Sequence, residues 1–201
     1  VYAFPYDGDI HYYAFRKDLF ADEDISGKFR SEYGYDLDPV DGAKTWEEWR
    51  NIGEFFTGWD WNENGKADDF GLSCMTKRAD TCWWGFHSRA TAYAKHPDDP
   101  GYFLDPQTGE ARINSPGFVR ALTEWTEENQ NWAPPGGISF TYPDSSNAMN
   151  GGRVAQTYNW DAVSGAVNPE VSVIAGKQGY NVLPGSKRVW NPKSQEWDAF
   201  E

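Results

Sequence analysis

The sequence predicts an α/β layered domain. Two segments carry helix-start signatures, two aromatic-rich runs read as strands, and helical and strand-like stretches alternate along the chain. Ile10 to Phe15 is the first strand. Asp18 is placed to cap a short following helix. Asp22 to Tyr33 reads as an exposed helix stopped by Gly34. Thr45-Trp46-Glu47-Glu48 has the form of a capping box, with Glu48 reaching back to Thr45. Trp46, Trp49, Ile52 and Phe56 follow at helical spacing and predict a buried face, the helix ending near Gly58. Ser115-Pro116 opens a further helix, Ser as N-cap and Pro in the first turn. Phe118, Val119, Leu122 and Trp125 form its apolar face, and Glu124, Glu127 and Glu128 its solvated one. Ala133-Pro134-Pro135-Gly136-Gly137 breaks the chain. Asp144 to Asn150 is a short helix closed by Gly151-Gly152. Arg153 to Trp160 and Tyr180 to Leu183 are strands, the latter stopped at Pro184-Gly185.

Composition narrows function. The 201 residues carry a formal charge of −13, which argues against nucleic acid and against an anionic membrane surface. No run of about 18 apolar residues is present to span a bilayer. Eleven Trp, eleven Tyr and twelve Phe argue against disorder. Trp46, Trp49 and Trp125 lie on helix faces and are expected in the core, as is Met149. His11, His87 and His96 are scattered and suggest no His-based metal site. No G-x-S-x-G, H-E-x-x-H or P-loop motif occurs.

The segment Asp60-Trp61-Asn62-Glu63-Asn64-Gly65-Lys66-Ala67-Asp68 fits the first half of a calcium loop. Asp60, Asn62, Asn64, the Lys66 carbonyl and Asp68 are the ligand candidates, because Ca²⁺ takes hard oxygen donors. The twelfth position is Gly71, so the bidentate Glu of a full loop is missing and a weak structural Ca²⁺ site is expected. An Asx-bonded turn is the alternative. Cys74 and Cys82 fit neither a zinc nor a C-x-x-C pattern. In an exported protein a small disulfide between them is the natural reading; two separate thiols is the other.

The order of four stretches resembles the extracytoplasmic solute-binding proteins of ABC importers, in the sugar-binding family that includes maltose-binding proteins. Tyr6-Asp7-Gly8-Asp9 leads through a strand to Phe15-Arg16-Lys17-Asp18-Leu19-Phe20, similar to that family's passage between lobes. Lys44-Thr45-Trp46-Glu47-Glu48-Trp49 and Ile113-Asn114-Ser115-Pro116 are similar to its helix starts. Gly152-Arg153-Val154-Ala155, Tyr158-Asn159-Trp160 and Val182-Leu183-Pro184-Gly185 complete the likeness. The calcium-like loop also has counterparts there, with acids where Asn62 and Asn64 stand here. The resemblance implies a periplasmic-binding-protein-like (type II) lobe, a mixed sheet flanked by helices. Residues 1–20 are then the interlobe crossing and the start of the lobe, and residues 21–201 the second lobe. Members are longer, two-lobed chains, so a fragment is expected.

The resemblance also implies a ligand surface and a role. Sugars present C–H faces and hydroxyls, which call for aromatic platforms with polar groups at the rim. Trp160 is the leading stacking candidate, with core packing as its alternative. Asn159 and Asp161 are candidates for hydroxyl contacts. Trp83 and Trp84 come next, one expected inside and one out. Asp7 and Asp9 are candidate hydroxyl acceptors, with a turn role as the alternative for Asp7. Arg89 is a candidate partner for a carboxylate or sugar oxygen. The implied function is capture of a carbohydrate by hinge closure and delivery to a membrane permease and its ATPase, by a monomer, with no covalent chemistry. It implies a periplasmic or extracellular location, with a lipid anchor through a preceding portion. A secreted glycoside hydrolase and a calcium-stabilised carbohydrate-binding module are the competing readings.

Overall fold

A computed structural model describes residues 9–160 and 168–200. At its centre lies a mixed sheet of β1 (Tyr12–Arg16), β2 (Phe70–Ser73), β3 (Val154–Asn159) and β4 (Gln178–Asn181). The spatial order is β2-β3-β1-β4. β1 is antiparallel to both neighbours, Tyr13 facing Tyr158 and Ala14 facing Tyr180, whereas β2 and β3 are parallel. A parallel pair needs a long crossover. Here it is α4 (Cys82–Ala94), α5 (Pro116–Asn131) and α6 (Tyr142–Asn150). Before the crossover come α1 (Lys17–Phe20), α2 (Glu23–Tyr33) and α3 (Trp46–Phe55).

β3 is buried along its whole length, including its polar residues. Each of those finds partners, as buried polar groups must. Gln156 accepts from the Tyr13 hydroxyl at 3.0 Å and donates to the Trp49 carbonyl at 2.7 Å. Thr157 donates to the Ser73 carbonyl at 2.9 Å. The strand is thereby pinned to β1, β2 and α3. Around it Tyr13, Phe15, Phe20, Phe29, Trp46, Trp49, Phe56 and Tyr158 build an aromatic core. Trp46, Trp49, Trp125 and Met149 are buried as expected.

Local signals and structure agree at several starts. The Asp22 carboxylate caps α2, accepting from the amides of Asp24 and Ile25 at 3.0 and 2.9 Å, and Gly34 closes it at φ 83°. Thr45 Oγ1 accepts from the Glu48 amide at 3.2 Å, but Glu48 reaches one residue further back, to the Lys44 amide. β1 starts at Tyr12, not Ile10, because its partner β3 ends at Asn159 opposite Tyr12. Asp18 caps nothing. It lies inside α1 and holds the Arg16 guanidinium at 2.6 and 2.7 Å. α3 ends at Phe55, short of Gly58.

Other expectations are corrected. On α5 the buried face runs through Phe118, Ala121, Trp125, Glu128 and Asn129, while Val119 and Leu122 are half exposed. Glu128 is fully buried because Arg89 of α4 meets it there. α6 starts at Tyr142, two residues early, under a capping box of Thr141 and Asp144. β4 also starts two residues early, and it is not the last strand. β5 (Arg188–Asn191) and β6 (Glu196–Ala199) form a hairpin with Trp190 opposite Trp197.

Candidate functional site

Where β3 ends, the chain presents Trp160. Asn159 sets its position from below: Oδ1 accepts from the Trp160 amide at 2.7 Å. Its Nδ2 donates to the Tyr142 carbonyl at 3.0 Å and Ser146 Oγ at 2.9 Å. Asn159 is completely buried in this role and offers nothing to a ligand, a correction to its expected hydroxyl contact. The Trp160 ring is half-buried, edge-on to His11 at 4.5 Å and to Tyr142 at 6.0 Å.

α4 forms the facing wall. Trp84, His87, Ser88 and Thr91 recur at helical spacing on one side, while Gly85, Arg89, Ala90 and Tyr93 are buried on the other. Ser88 Oγ bonds His11 Nδ1 at 2.7 Å and ties α4 to the residue that precedes β1. Asp9, His11, Thr81, Trp84, His87, Ser88, Thr91, Tyr142 and Trp160 enclose an open cleft of about 710 Å³. Two indoles, two imidazoles, a phenol, hydroxyls and one carboxylate line it, with no Lys or Arg among the described lining residues.

Three buried polar atoms on residues of this wall have no hydrogen-bond partner among the described residues: His11 Nε2, Thr81 Oγ1 and His87 Nδ1. An unmade buried hydrogen bond costs about 1–3 kcal/mol. Burial pushes the His11 imidazole down from its ordinary pKa, with Asp9 pulling it partly back, and burial alone pushes His87 down. Both rings are thus neutral at pH 7, when each has one donor and one acceptor nitrogen.

The expected ligand residues therefore divide. Trp160, Trp84 and Asp9 meet in the cleft. Trp83 lies beside it, its ring tilted against that of Trp84 at 4.0 Å, and both indoles are about half exposed (47% and 48%), not one in and one out. They occupy the first turn of α4, where Gly85 is the residue turned to the core. Arg89 is the clearest correction. It is 0% exposed, held by Glu128 at 2.6 Å and Glu124 at 3.0 Å, and it lies over the Trp46 ring at 4.6 Å. Burial disfavours its charge, yet the Glu128 carboxylate overrides this and keeps it protonated. Asp7 and Asp161 lie outside the described residues. His11, Thr81, His87, Ser88, Thr91 and Tyr142 complete the wall without having been expected. The spacing 84-87-88-91 is the sequence signal for the α4 members, visible only once α4 is known to be a helix.

The calcium-like loop lies elsewhere. The Asp60 carboxylate accepts from the amides of Asn64 and Gly65 at 2.9 Å each. Asn62 Oδ1 accepts from the Asn64 amide at 3.0 Å, and Asn64 Oδ1 from the Lys66 amide at 2.9 Å. Asp69 is buried and bonds the backbone and side-chain nitrogens of Asn62. The Asn62 and Asn64 bonds are Asx turns, and with the Asp60 bonds they gather the side-chain oxygens of 60, 62 and 64 in one short loop. No group of three or more His, Cys, Asp or Glu suited to a metal occurs among the described residues.

Cys74 and Cys82 are not bonded to each other, a correction to the expected disulfide. Cys74 follows β2 into the core, where burial pushes its thiol up to about 12 and Tyr158 and Asn129 contact it. Cys82 instead opens α4 and is partly exposed.

No protein-family model matches the chain, and no curated protein matches it significantly. Solved structures do. An ABC transporter solute-binding protein from Agrobacterium radiobacter K84, in complex with ribitol, is 22% identical with a TM-score of 0.63. The match covers 88% of this chain and 38% of that one. One from Agrobacterium vitis S4 with bound D-mannitol is 18% identical, TM-score 0.64, over 88% of this chain and 36% of that one. Maltose-bound MalE3 of T. maritima is 22% identical, TM-score 0.60, over 88% and 38%. The chain thus spans less than two fifths of the length of these structures. At such identities the likeness establishes architecture: this chain has the periplasmic-binding-protein-like fold, a mixed sheet flanked by helices, seen in part of each of these sugar- and polyol-bound proteins.

Proposed function

We propose that the chain is the second lobe, with the crossing segment before it, of an extracytoplasmic solute-binding protein that captures a carbohydrate for an ABC importer. The observation that carries this reading is the cleft: the Trp160 and Trp84 indoles flank the imidazole, hydroxyl and carboxylate side chains of His11, Ser88, Thr91 and Asp9. Indole faces stack on sugar C–H faces, and the polar side chains of the lining suit hydroxyls. A relative's ribitol or mannitol is a polyhydroxy compound of the same chemistry. Binding is favoured over hydrolysis because the solved structures that the chain resembles are solute-binding proteins. A permease and its ATPase are the proposed partners, reached by hinge closure against a first lobe. A lipid anchor ahead of this segment would hold it outside the membrane. No helix among the described residues is long and apolar enough to cross a bilayer.

Thermal shift against sugars and polyols tests the reading, since a ligand of the native state raises Tm. Trp160→Ala is expected to weaken the ligand found by roughly tenfold or more. Its own Tm should change little, the ring being half-buried. Unchanged affinity in titration calorimetry would remove Trp160 from the site.

We also propose that the 60–68 loop holds a structural Ca²⁺. Support comes from its donor set: Asp60, Asn62 and Asn64 oxygens that already accept one amide keep lone pairs for an ion. The Lys66 carbonyl and the exposed Asp68 carboxylate would complete the set. Asp60→Ala should lower Tm in millimolar Ca²⁺ more than in chelator. Equal losses in both would leave the loop a hydrogen-bonded turn.

A further inference from the structure

We infer that Asn64 is a site of self-modification: the 60–68 loop drives its conversion to aspartate and isoaspartate through attack by the Gly65 amide. The chain has two Asn-Gly pairs, Asn64-Gly65 and Asn150-Gly151. Glycine has no side chain to screen its nitrogen from the preceding carboxamide, so both pairs carry the reacting groups. The fold treats them oppositely. Asn150 ends α6, and a helical Cβ points toward the helix N-terminus, away from the following amide. The Gly151 N–H donates to the Asn147 carbonyl at 2.8 Å, and the Asn150 carbonyl accepts from the Val173 amide at 2.9 Å. Asn64 is exposed in a loop, and Gly65 sits at φ 84°, a left-handed position that favours glycine.

Two contacts match the steps of the reaction. Gly65 N attacks Asn64 Cγ, a C–N bond forms and the amide proton must leave. Asp60 Oδ2 accepts that N–H at 2.9 Å, within reach for a general base. Negative charge gathers on Asn64 Oδ1, which accepts from the Lys66 amide at 2.9 Å, the arrangement of an oxyanion donor. The Cγ–Nδ2 bond then breaks. The departing nitrogen takes the proton from Asp60 and leaves as ammonia, and a five-membered cyclic imide remains. Water opens the imide. Cleavage of its bond to Cγ gives aspartate, and cleavage of its bond to the former backbone carbonyl gives isoaspartate. The net change is Asn plus water to Asp plus ammonia, with no oxidant or reductant. Aspartate puts a further carboxylate at the fifth position of the loop pattern, where Asp and Asn both serve. Isoaspartate routes the backbone through the side chain, and the Asx turn to Lys66 is lost.

The test is to age the whole chain at neutral pH, natively and in urea, and to map its peptides by mass spectrometry after digestion at acidic pH. Asn64→Asp supplies the standard for one product. All samples contain chelator, so the outcome is independent of whether the loop holds Ca²⁺. In urea the two pairs should convert at similar rates, both being Asn-Gly. In the native chain Asn64 should keep at least its urea rate and convert roughly tenfold or more faster than Asn150. Asp60→Asn keeps an acceptor for the Gly65 N–H but removes the base. It should slow Asn64 by roughly tenfold or more and leave Asn150 unchanged, with circular dichroism verifying its fold. A native Asn64 as slow as Asn150, or far slower than in urea, shows that the loop locks the pair and overturns the inference. An undiminished rate at Asn64 in Asp60→Asn leaves only the ordinary reactivity of the dipeptide and overturns the part assigned to the loop.

Discussion

Arg89→Met is expected to lower the free energy of unfolding by about 3–5 kcal/mol, the cost of leaving a buried charge without its partner. Glu128 is 0% exposed, and both its oxygens take Arg89 hydrogen bonds at 2.6 Å. Without Arg89 the carboxylate keeps the Trp49 indole N–H at 3.1 Å and Arg50 only at 3.8 Å. Burial already pushes Glu128 up to about 7 against the pull of Arg89, so losing the guanidinium drives it further toward the neutral acid. Two further contacts vanish, the Glu124 bond and the stack over Trp46. Arg89→Met with Glu128→Leu should recover much of the loss, since apolar groups of similar volume replace a buried pair at little cost. Urea unfolding measures all three proteins. A loss below about 1 kcal/mol in the single variant would show that the pair does not hold α4 to α5. Ligand affinity of the folded fraction should be unaffected, because Arg89 points away from the cleft.

That residue also shows where sequence reasoning stops. An Arg near an aromatic pair reads equally well as a rim group or as half of a buried ion pair. The difference is which face of α4 it occupies, and no cap signal marks α4: Thr81 makes no side-chain cap bond. Its buried stripe of Gly85, Arg89, Ala90 and Tyr93 also carries little apolar contrast. By contrast, Asp22, Gly34 and Thr45 act through bonds to amides at most three residues away or through their own backbone, so their roles follow from local chemistry. β3 is recognisable from its β-branched and aromatic residues, yet the buried role of Asn159 at its end is not. A buried amide that satisfies a strand end and a solvent-facing one look alike until the Tyr142 carbonyl is found beneath it. The β5–β6 hairpin is illegible in the sequence for a related reason. Its turn has no Asn-Gly or Asp-Gly signal, and Gln195 takes the left-handed position at φ 59°. Trp160 and Trp84, which share the cleft lining, are legible as platform candidates because a platform needs a ring type, and ring type is visible without knowing the fold.

Gly71→Ala should cost about 3 kcal/mol, the upper part of the usual range for overpacking. A Cβ at Gly71 would fall on the Gly53 carbonyl and lie 2.5 Å from the Gly53 Cα. The obstacle is backbone, so no side chain can swing aside and α3 must move off β2. Gly53 leaves no slack either, since a Cβ there would meet Leu72 Cδ2 at 2.7 Å. The effect should reach the cleft. β2 is paired with β3 from Phe70 to Ser73, and β3 carries Asn159 and Trp160 at its end. Weakened sugar-induced Tm shifts should therefore accompany the lost stability. Gly27→Ala is the matched contrast, because nothing lies within 4 Å of its Cβ position inside α2. There the same methyl group should stabilise by about 0.5–1 kcal/mol, as Ala does over Gly in a helix interior. Chemical denaturation of both variants decides the point. Opposite signs locate the constraint in the α3–β2 contact, and a neutral Gly71→Ala would mean that α3 rides loosely on the sheet and does not position the strand that carries Trp160.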